Sequence, residues 1–294
     1  MARDGAADRG RHFGAQAVNE FSTDWLDLRE AADTRARNSD VADAVAARLA
    51  LRDELTVLDL GAGTGANLRA TSHLLPSRQT WTLADRDTRL LEAARAKLSR
   101  WADKHSADGD ALELEKNDRK IRVIFRAADL AQETKALVDE GAQLVTASAF
   151  FDLTSENYIR DLSKAVVAAK AAFYATLTYN GLQKWTPHRP ADNQMTAAFQ
   201  RHQMQDKGFG LAAGPLAASH LVDQFRINGY LALSGESPWR LERADRMLIE
   251  EVIRGHAVAV AEVGGVDEKT VLGWLNVPRS AAFVGHIDVF AAPQ

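Results

Sequence analysis

Apolar residues recur at three- and four-residue spacings from Phe21 to Leu51, through Trp25, Leu28, Ala32, Val41, Val45 and Leu49. That period predicts two helices interrupted near Asn38, an N-terminal helical cap over residues 1–50 behind a frayed start. The pattern then changes. "LTVLDL" is a short apolar run that reads as a strand, "ANLRATSHLL" returns to helical spacing as far as Pro76, and "TWTLAD" is a second strand. "RLLEAARAKLSRWADK" reads as a helix, "IRVIFRAADL" as a third strand, and "ETKALVDE", "AQLVTASAF", "NYIRDLSKAVVAA" and "AFYATLTY" as helix, strand, helix, strand. Such alternation predicts a parallel sheet with right-handed crossovers. Between the second helix and third strand, "HSADGDALELEKNDRK" is most simply a solvated loop, although alternating Leu112 and Leu114 ahead of "ND" would permit a small hairpin.

The regularity stops at Tyr179. Residues 180 to about 215 are too long for an ordinary connection and rich in His, Gln and aromatic side chains, which predicts a helical, lid-like or substrate-facing insertion after strand five. Beyond it, "LAASHLVDQFRINGY" is helical, "LALSGES" is a strand, two extra helices fall at about 241–275, and "AFVGHIDVFAA" is a last strand. Residues 51–294 are expected to form one α/β domain behind the cap, since 294 residues exceed what a single small core needs.

Composition narrows the chemistry. Against 40 acidic residues stand 36 basic ones, a formal charge of -4, with no basic stripe to track phosphates, so nucleic acid is not an expected partner. There is no cysteine, hence no disulfide, thiolate nucleophile or cysteine-ligated metal. The eight histidines show no HxH or HxxxH spacing, and no metal site is expected. No window reaches the roughly 18 uninterrupted apolar residues of a membrane span, and the N-terminus lacks a secretory apolar region. The expectation is a cytoplasmic protein with no membrane partner.

The candidate chemistry sits at "VLDLGAGTGAN", residues 57–67. Gly61 to Ala66 fit G-x-G-x-x-A, with Asp85 ending the second strand, so the dinucleotide fingerprint is formally met. Asp59, two residues before the glycines, argues otherwise: a pyrophosphate gains nothing from an adjacent carboxylate, whereas a cationic ligand does. With Asp59, Gly61, Gly63 and Gly65 the stretch meets (D/E)-x-G-x-G-x-G and resembles the first motif of the seven-stranded, Rossmann-like S-adenosylmethionine-dependent methyltransferases. That resemblance covers roughly residues 20 to 178 plus the last strands. It implies a doubly wound, mostly parallel seven-stranded sheet, S-adenosylmethionine as cofactor, S-adenosylhomocysteine as product and a small-molecule acceptor.

By the same resemblance, Asp59, Gly61, Ala62, Gly63 and Asn67 hold the methionine and ribose parts of the cofactor. Asp85 accepts both ribose hydroxyls, with Arg86 beside the adenine edge. Asp129 accepts from the adenine amino group, with Leu130 offering its amide and apolar surface, and Ser148, Phe150 and Asp152 pass beneath the sulfonium. Arg29 is a candidate clamp on the cofactor carboxylate, or one side of a solvated face with Glu30 and Asp33. Asp85 and Asp129 are also of a type that caps helices.

Methyl transfer to a hydroxyl or protonated amine needs a base, for which His202, His188 and Asp152 are available, with Tyr179 a further candidate. Trp185, Gln203 and Lys207 could line an acceptor pocket or form the insertion's own core. The absence of a (D/N)PP(Y/F) motif after strand four, where "ASAFFDL" stands, argues against methylation of base amino groups. Two other readings stay open: an NAD-dependent oxidoreductase, and a non-catalytic S-adenosylmethionine-binding protein. The related aminopropyltransferases need an acidic polyamine pocket, which the sequence does not display.

Overall fold

The computed structural model describes residues 22–294, so the frayed start and Phe21 lie outside the described residues. Helices α1 (Thr23–Ala36) and α2 (Ser39–Leu49) meet at Asn38, whose side chain caps α2 by accepting from Val41 N at 3.0 Å. The interruption expected near Asn38 is therefore an N-cap, the role this short polar side chain suits.

The central unit is β1 (Glu54–Leu60), α3 (Ala66–Thr71), β2 (Arg78–Asp85) and α4 (Thr88–Trp101). A hairpin follows, β3 (Lys104–Asp108) and β4 (Ala111–Lys116), before β5 (Arg119–Ala127), α5 (Leu130–Asp139), β6 (Leu144–Ser148), α6 (Glu156–Ala168) and β7 (Ala172–Thr186). Then come α7 (Asp192–Gln203), α8 (Ala217–Ile227), β8 (Tyr230–Glu236), β9 (Trp239–Leu241), α9 (Arg246–Val263), α10 (Glu268–Leu275) and β10 (Ala281–Pro293).

All ten strands share one sheet, ordered β3-β4-β5-β2-β1-β6-β7-β10-β8, with β9 paired on β10. The five from β5 to β7 are parallel, whereas β10 is antiparallel to β7, β8 and β9. The sheet is thus mixed, and not strictly seven parallel strands. Two departures from expectation account for the extra strands. The segment 105–120 is not a solvated loop: β3 and β4 pair there, and the small hairpin that Leu112 and Leu114 ahead of "ND" permit is present as β4–β5, turned by Asn117 and Asp118 at φ of 45° and 62°, left-handed values these residue types tolerate in two-residue hairpin turns. β9 has only three residues, too few to leave a periodic signal. The expected insertion begins later than Asn180, because β7 runs on to Thr186, and contains α7.

Both faces of the sheet are covered. Leu58 and Leu60 of β1 pack with Val145, Phe173 and Val289 under α5, α6 and α8, while Leu55 and Val57 face Trp81, Leu91, Leu98 and Val45 under α2 and α4. That two-sided burial is why the central strands read as continuous apolar runs. A third cluster, with Trp185, Met195, Ile253 and Trp274, joins α7, α9 and α10 to β9 and the extended end of β7. Chain order reverses across β1, with β2 on one side and β6 on the other, opening a crevice at the carboxyl ends of these strands.

Ser155 caps α6 by accepting from Tyr158 N at 3.2 Å. Ser155→Ala is expected to cost about 1 kcal/mol in chemical denaturation; an unchanged midpoint would show that the cap contributes nothing.

Candidate functional site at the crevice

Asp59, the penultimate residue of β1, is fully buried. One oxygen, Oδ1, accepts from Asn67 Nδ2 at 2.8 Å, and the same amide reaches Thr146 Oγ1 at 3.1 Å. The other, Oδ2, has no hydrogen-bond partner among the described residues. Burial is the main cause that pushes the Asp59 carboxyl up to about 7, against the Asn67 hydrogen bond and the Arg37 charge, which both lower it. A buried carboxylate with a free oxygen at the mouth of a glycine loop is an unfinished site, since buried polar atoms are ordinarily paired.

The loop itself is held tightly. Gly61 and Gly63 have φ of +64° and +53°, conformations that disfavour any side chain. A Cβ on Gly61 would lie 2.8 Å from the Phe150 ring, and one on Gly63 3.3 Å from Leu26 of α1, so Phe150 and α1 close over the loop. Arg69 grips α1 through Glu30 at 2.7 and 2.8 Å and holds the Thr64 carbonyl at 2.9 Å, while Lys97 pairs with Asp27.

At the end of β2, Asp85 Oδ2 accepts from Gly63 N at 2.9 Å and Oδ1 from Asp87 N at 3.0 Å. Each oxygen keeps a second acceptor site. The helix cap is Asp87, not Asp85. Asp129 does cap α5, accepting from Ala131 N at 3.0 Å, and stays exposed, while Leu130 turns into the core. Arg86 is exposed at the rim, within reach of the loop carrying Gly208. Ala62 is buried, and Ser148 is half-buried at the end of β6. Phe150 packs edge-on against Phe209 of the insertion and Tyr158 of α6, with ring centroids 5.4 and 6.0 Å away.

Arg29 pairs with Asp33, as one of its two readings expects, though not on a solvated face. It forms a two-bond pair with Asp33, at 2.8 and 3.2 Å, but the pair is half-buried, with the guanidinium 4.9 Å from the Trp239 ring and 5.7 Å from Trp25. Its charge lowers the pKa of both Asp152 and His286, whereas the arginine whose charge acts on Asp59 is Arg37. Arg37 donates to Asn67 Oδ1 at 2.9 Å and Thr71 Oγ1 at 2.8 Å. Sequence reasoning passed over it because it follows the last turn of α1, outside the helical period.

Asp152 and Tyr179 do come together. Asp152 is buried, which pushes its carboxyl up to about 6 although its own backbone amide, the Arg29 charge and the Tyr179 backbone amide all lower it. Tyr179 is buried with its hydroxyl unpartnered, and its ring lies 6.4 Å from that of His286. His286 was not singled out in the sequence, though "GHIDVF" places two polar residues on one face of an otherwise apolar strand. The remaining candidates lie elsewhere. His188 is 70% exposed and 3.9 Å from Asp192. His202 Nε2 is 3.1 Å from Glu262 of α9, and Lys207 also feels the Glu262 charge. Gln203 ends α7 half-buried, and Trp185 packs against His256 and Trp274 in the third core cluster.

Compared with known proteins, the chain matches no family model and no curated protein. Among solved structures it is similar to the YcgJ protein from Bacillus subtilis, at 11% identity and a TM-score of 0.49, covering 87% of this chain and 99% of that one. It is also similar to a SAM-dependent methyltransferase from Geobacter sulfurreducens in complex with S-adenosyl-L-homocysteine, at 14% identity and 0.45, over 94% and 100% of the two chains. A cyclopropane synthase from Mycobacterium tuberculosis is similar at 12% identity and 0.47, over 92% and 94%.

Proposed function

We propose that this protein is an S-adenosylmethionine-dependent methyltransferase acting on a small-molecule acceptor. The observation that carries the reading is the unpartnered Asp59 Oδ2, buried at the base of the glycine loop. A dinucleotide would bring a pyrophosphate to this loop, beside a carboxylate that repels it; an amino-acid ammonium would complete the hydrogen bonding of that carboxylate. In this reading Asp59 and Asn67 hold the amino-acid end, the spare acceptor sites of Asp85 take the ribose hydroxyls, and Asp129 with Leu130 meets the adenine. The cofactor supplies an electrophilic methyl group on a positively charged sulfur. The protein's part is to exclude water, through α1 and Phe150, and to align an acceptor beside Asp152.

Calorimetric titration with S-adenosylmethionine, S-adenosylhomocysteine and NAD tests this directly. Micromolar binding of the first two, and not of NAD, is expected; binding of NAD alone would make the protein an oxidoreductase candidate instead. Asp85→Ala is expected to weaken S-adenosylmethionine binding by on the order of 2 kcal/mol or more, since it removes a two-hydroxyl acceptor and releases Gly63 N. Unchanged affinity in a folded variant would take Asp85 out of the site.

A further inference from the structure

Beyond the glycine loop, the middles of β7 and β10, where His286 pairs with Tyr179, bring together buried polar atoms that the cofactor reading leaves unused. The Tyr179 hydroxyl and His286 Nδ1 are both buried and without a hydrogen-bond partner among the described residues, on rings 6.4 Å apart. Asp152 receives the Tyr179 backbone amide and senses the Tyr179 hydroxyl, while Arg29 acts on both Asp152 and His286. Trp239 completes the group, its ring 5.2 Å from His286 and its Nε1 donating to Asp33 at 2.9 Å.

Resting on the methyltransferase reading, we propose that this cluster is the acceptor site, that its acceptor is a neutral aromatic molecule carrying hydroxyl groups, and that Asp152 takes the hydroxyl proton. The chemistry of the free atoms sets the class. The His286 ring bonds the Ser237 backbone on one side, and a neutral ring donating there leaves Nδ1 a bare acceptor. Burial keeps this imidazole neutral, lowering it to about 3. Asp152 is a second acceptor, and the Tyr179 hydroxyl both donates and accepts. A site with two acceptors and one hydroxyl calls for O–H donors, which a carboxylate or a carbonyl lacks.

A cationic acceptor is disfavoured, because Arg29 already holds the indole faces of Trp25 and Trp239 and its charge extends to Asp152 and His286. The same charge favours an oxygen that becomes more negative. Trp239, Trp25 and Tyr179 suit a planar ring. In the proton step the acceptor O–H bond breaks, its electron pair stays on oxygen, and the proton passes to the Asp152 carboxylate. Tyr179 donates to that oxygen, and His286 accepts from a second hydroxyl.

Binding to protein saturated with S-adenosylhomocysteine tests the proposal with catechol, benzoate and benzylamine as probes. Catechol alone is expected to bind. Asp152→Asn and Tyr179→Phe should each weaken it roughly fivefold or more, with both variants folded and S-adenosylhomocysteine affinity unchanged. Catechol affinity should rise with pH through about 6 in the parent, as the Asp152 carboxylate forms, and lose that rise in Asp152→Asn. Preference for benzylamine or benzoate would overturn the acceptor class. S-adenosylhomocysteine binding without catechol binding, or catechol binding indifferent to both variants, would overturn the site while leaving the cofactor reading intact. Failure of S-adenosylhomocysteine itself to bind would overturn both.

Discussion

Asp59→Asn is expected to be more stable than the parent protein at pH 8, and at the same time to lose at least about tenfold in affinity for S-adenosylmethionine. The stability gain comes from removing a charge that folding buries. With its carboxyl raised from 3.8 to about 7, the folded protein holds a proton that the unfolded chain has released. Between those values the native state binds more protons than the unfolded one, so stability falls as pH rises from about 4 to about 7. Above pH 7 the penalty is fully present, with a ceiling of about 4 kcal/mol for a shift of this size. Asparagine carries no charge, so the advantage of the variant should be largest at pH 8 and vanish below pH 4.

The ligand half of the prediction has the opposite sign. An ammonium against Asp59 Oδ2 pulls the carboxyl back down, so binding near pH 7 must expel a proton, and affinity must fall as pH drops below about 7. Titration in two buffers of different ionisation enthalpy measures that proton, and urea denaturation at pH 4 and pH 8 measures the stability. Parent stability that is level across this range, or equal cofactor affinity in the variant, would refute the role given to Asp59.

Asp288→Ala should be the most destabilising of the substitutions considered, by about 3 kcal/mol. The side chain is fully buried on β10, where Oδ1 accepts from Leu177 N at 2.8 Å and Oδ2 from Asn38 N at 2.9 Å. It therefore ties β7 to the start of α2, across 111 and 250 residues of sequence. Leu177 has φ of +57°, an uncommon conformation for leucine, and this hydrogen bond is what holds it there. Alanine leaves both amides without an acceptor. Burial raises the Asp288 carboxyl, so the carboxylate is itself costly to place there, which keeps the expected loss below the sum of its hydrogen bonds. A loss under about 1 kcal/mol in urea denaturation would show that the two amides find other partners.

Much of the sheet was legible because burial on both faces makes the central strands plain apolar runs, and because Asn38 interrupts the helical period at the start of α2. The β3–β4 hairpin was not, since β3 is exposed along its whole length and carries no apolar alternation. The motif around Asp59 could be read locally, as its partners lie within eight residues. Arg37 and His286 could not, because their roles depend on contacts made across the fold, with α3 and with Tyr179 and Trp239. Arg29 was legible in part: its pairing with Asp33 one turn away is local, whereas the Trp239 ring beside it comes from across the fold.

The place of β10 in the sheet bears on the order of assembly. β1 pairs with β2 across 24 residues and β2 with β5 across 42, whereas β1 meets β6 only 87 residues on. β7 pairs with β6 on one edge, but its other edge must wait for Ala281–Pro293 to return from beyond α10, and β8 and β9 have no strand to pair with until it does. Closing so long a loop is slow relative to local pairing. Refolding should therefore show two phases, with protection of the β1 and β2 amides from hydrogen exchange appearing first and the β8 and β10 amides later. The glycine loop would be formed while Tyr179 and His286 are still apart, so a cofactor-sized ligand could be captured by a chain that has no acceptor site yet.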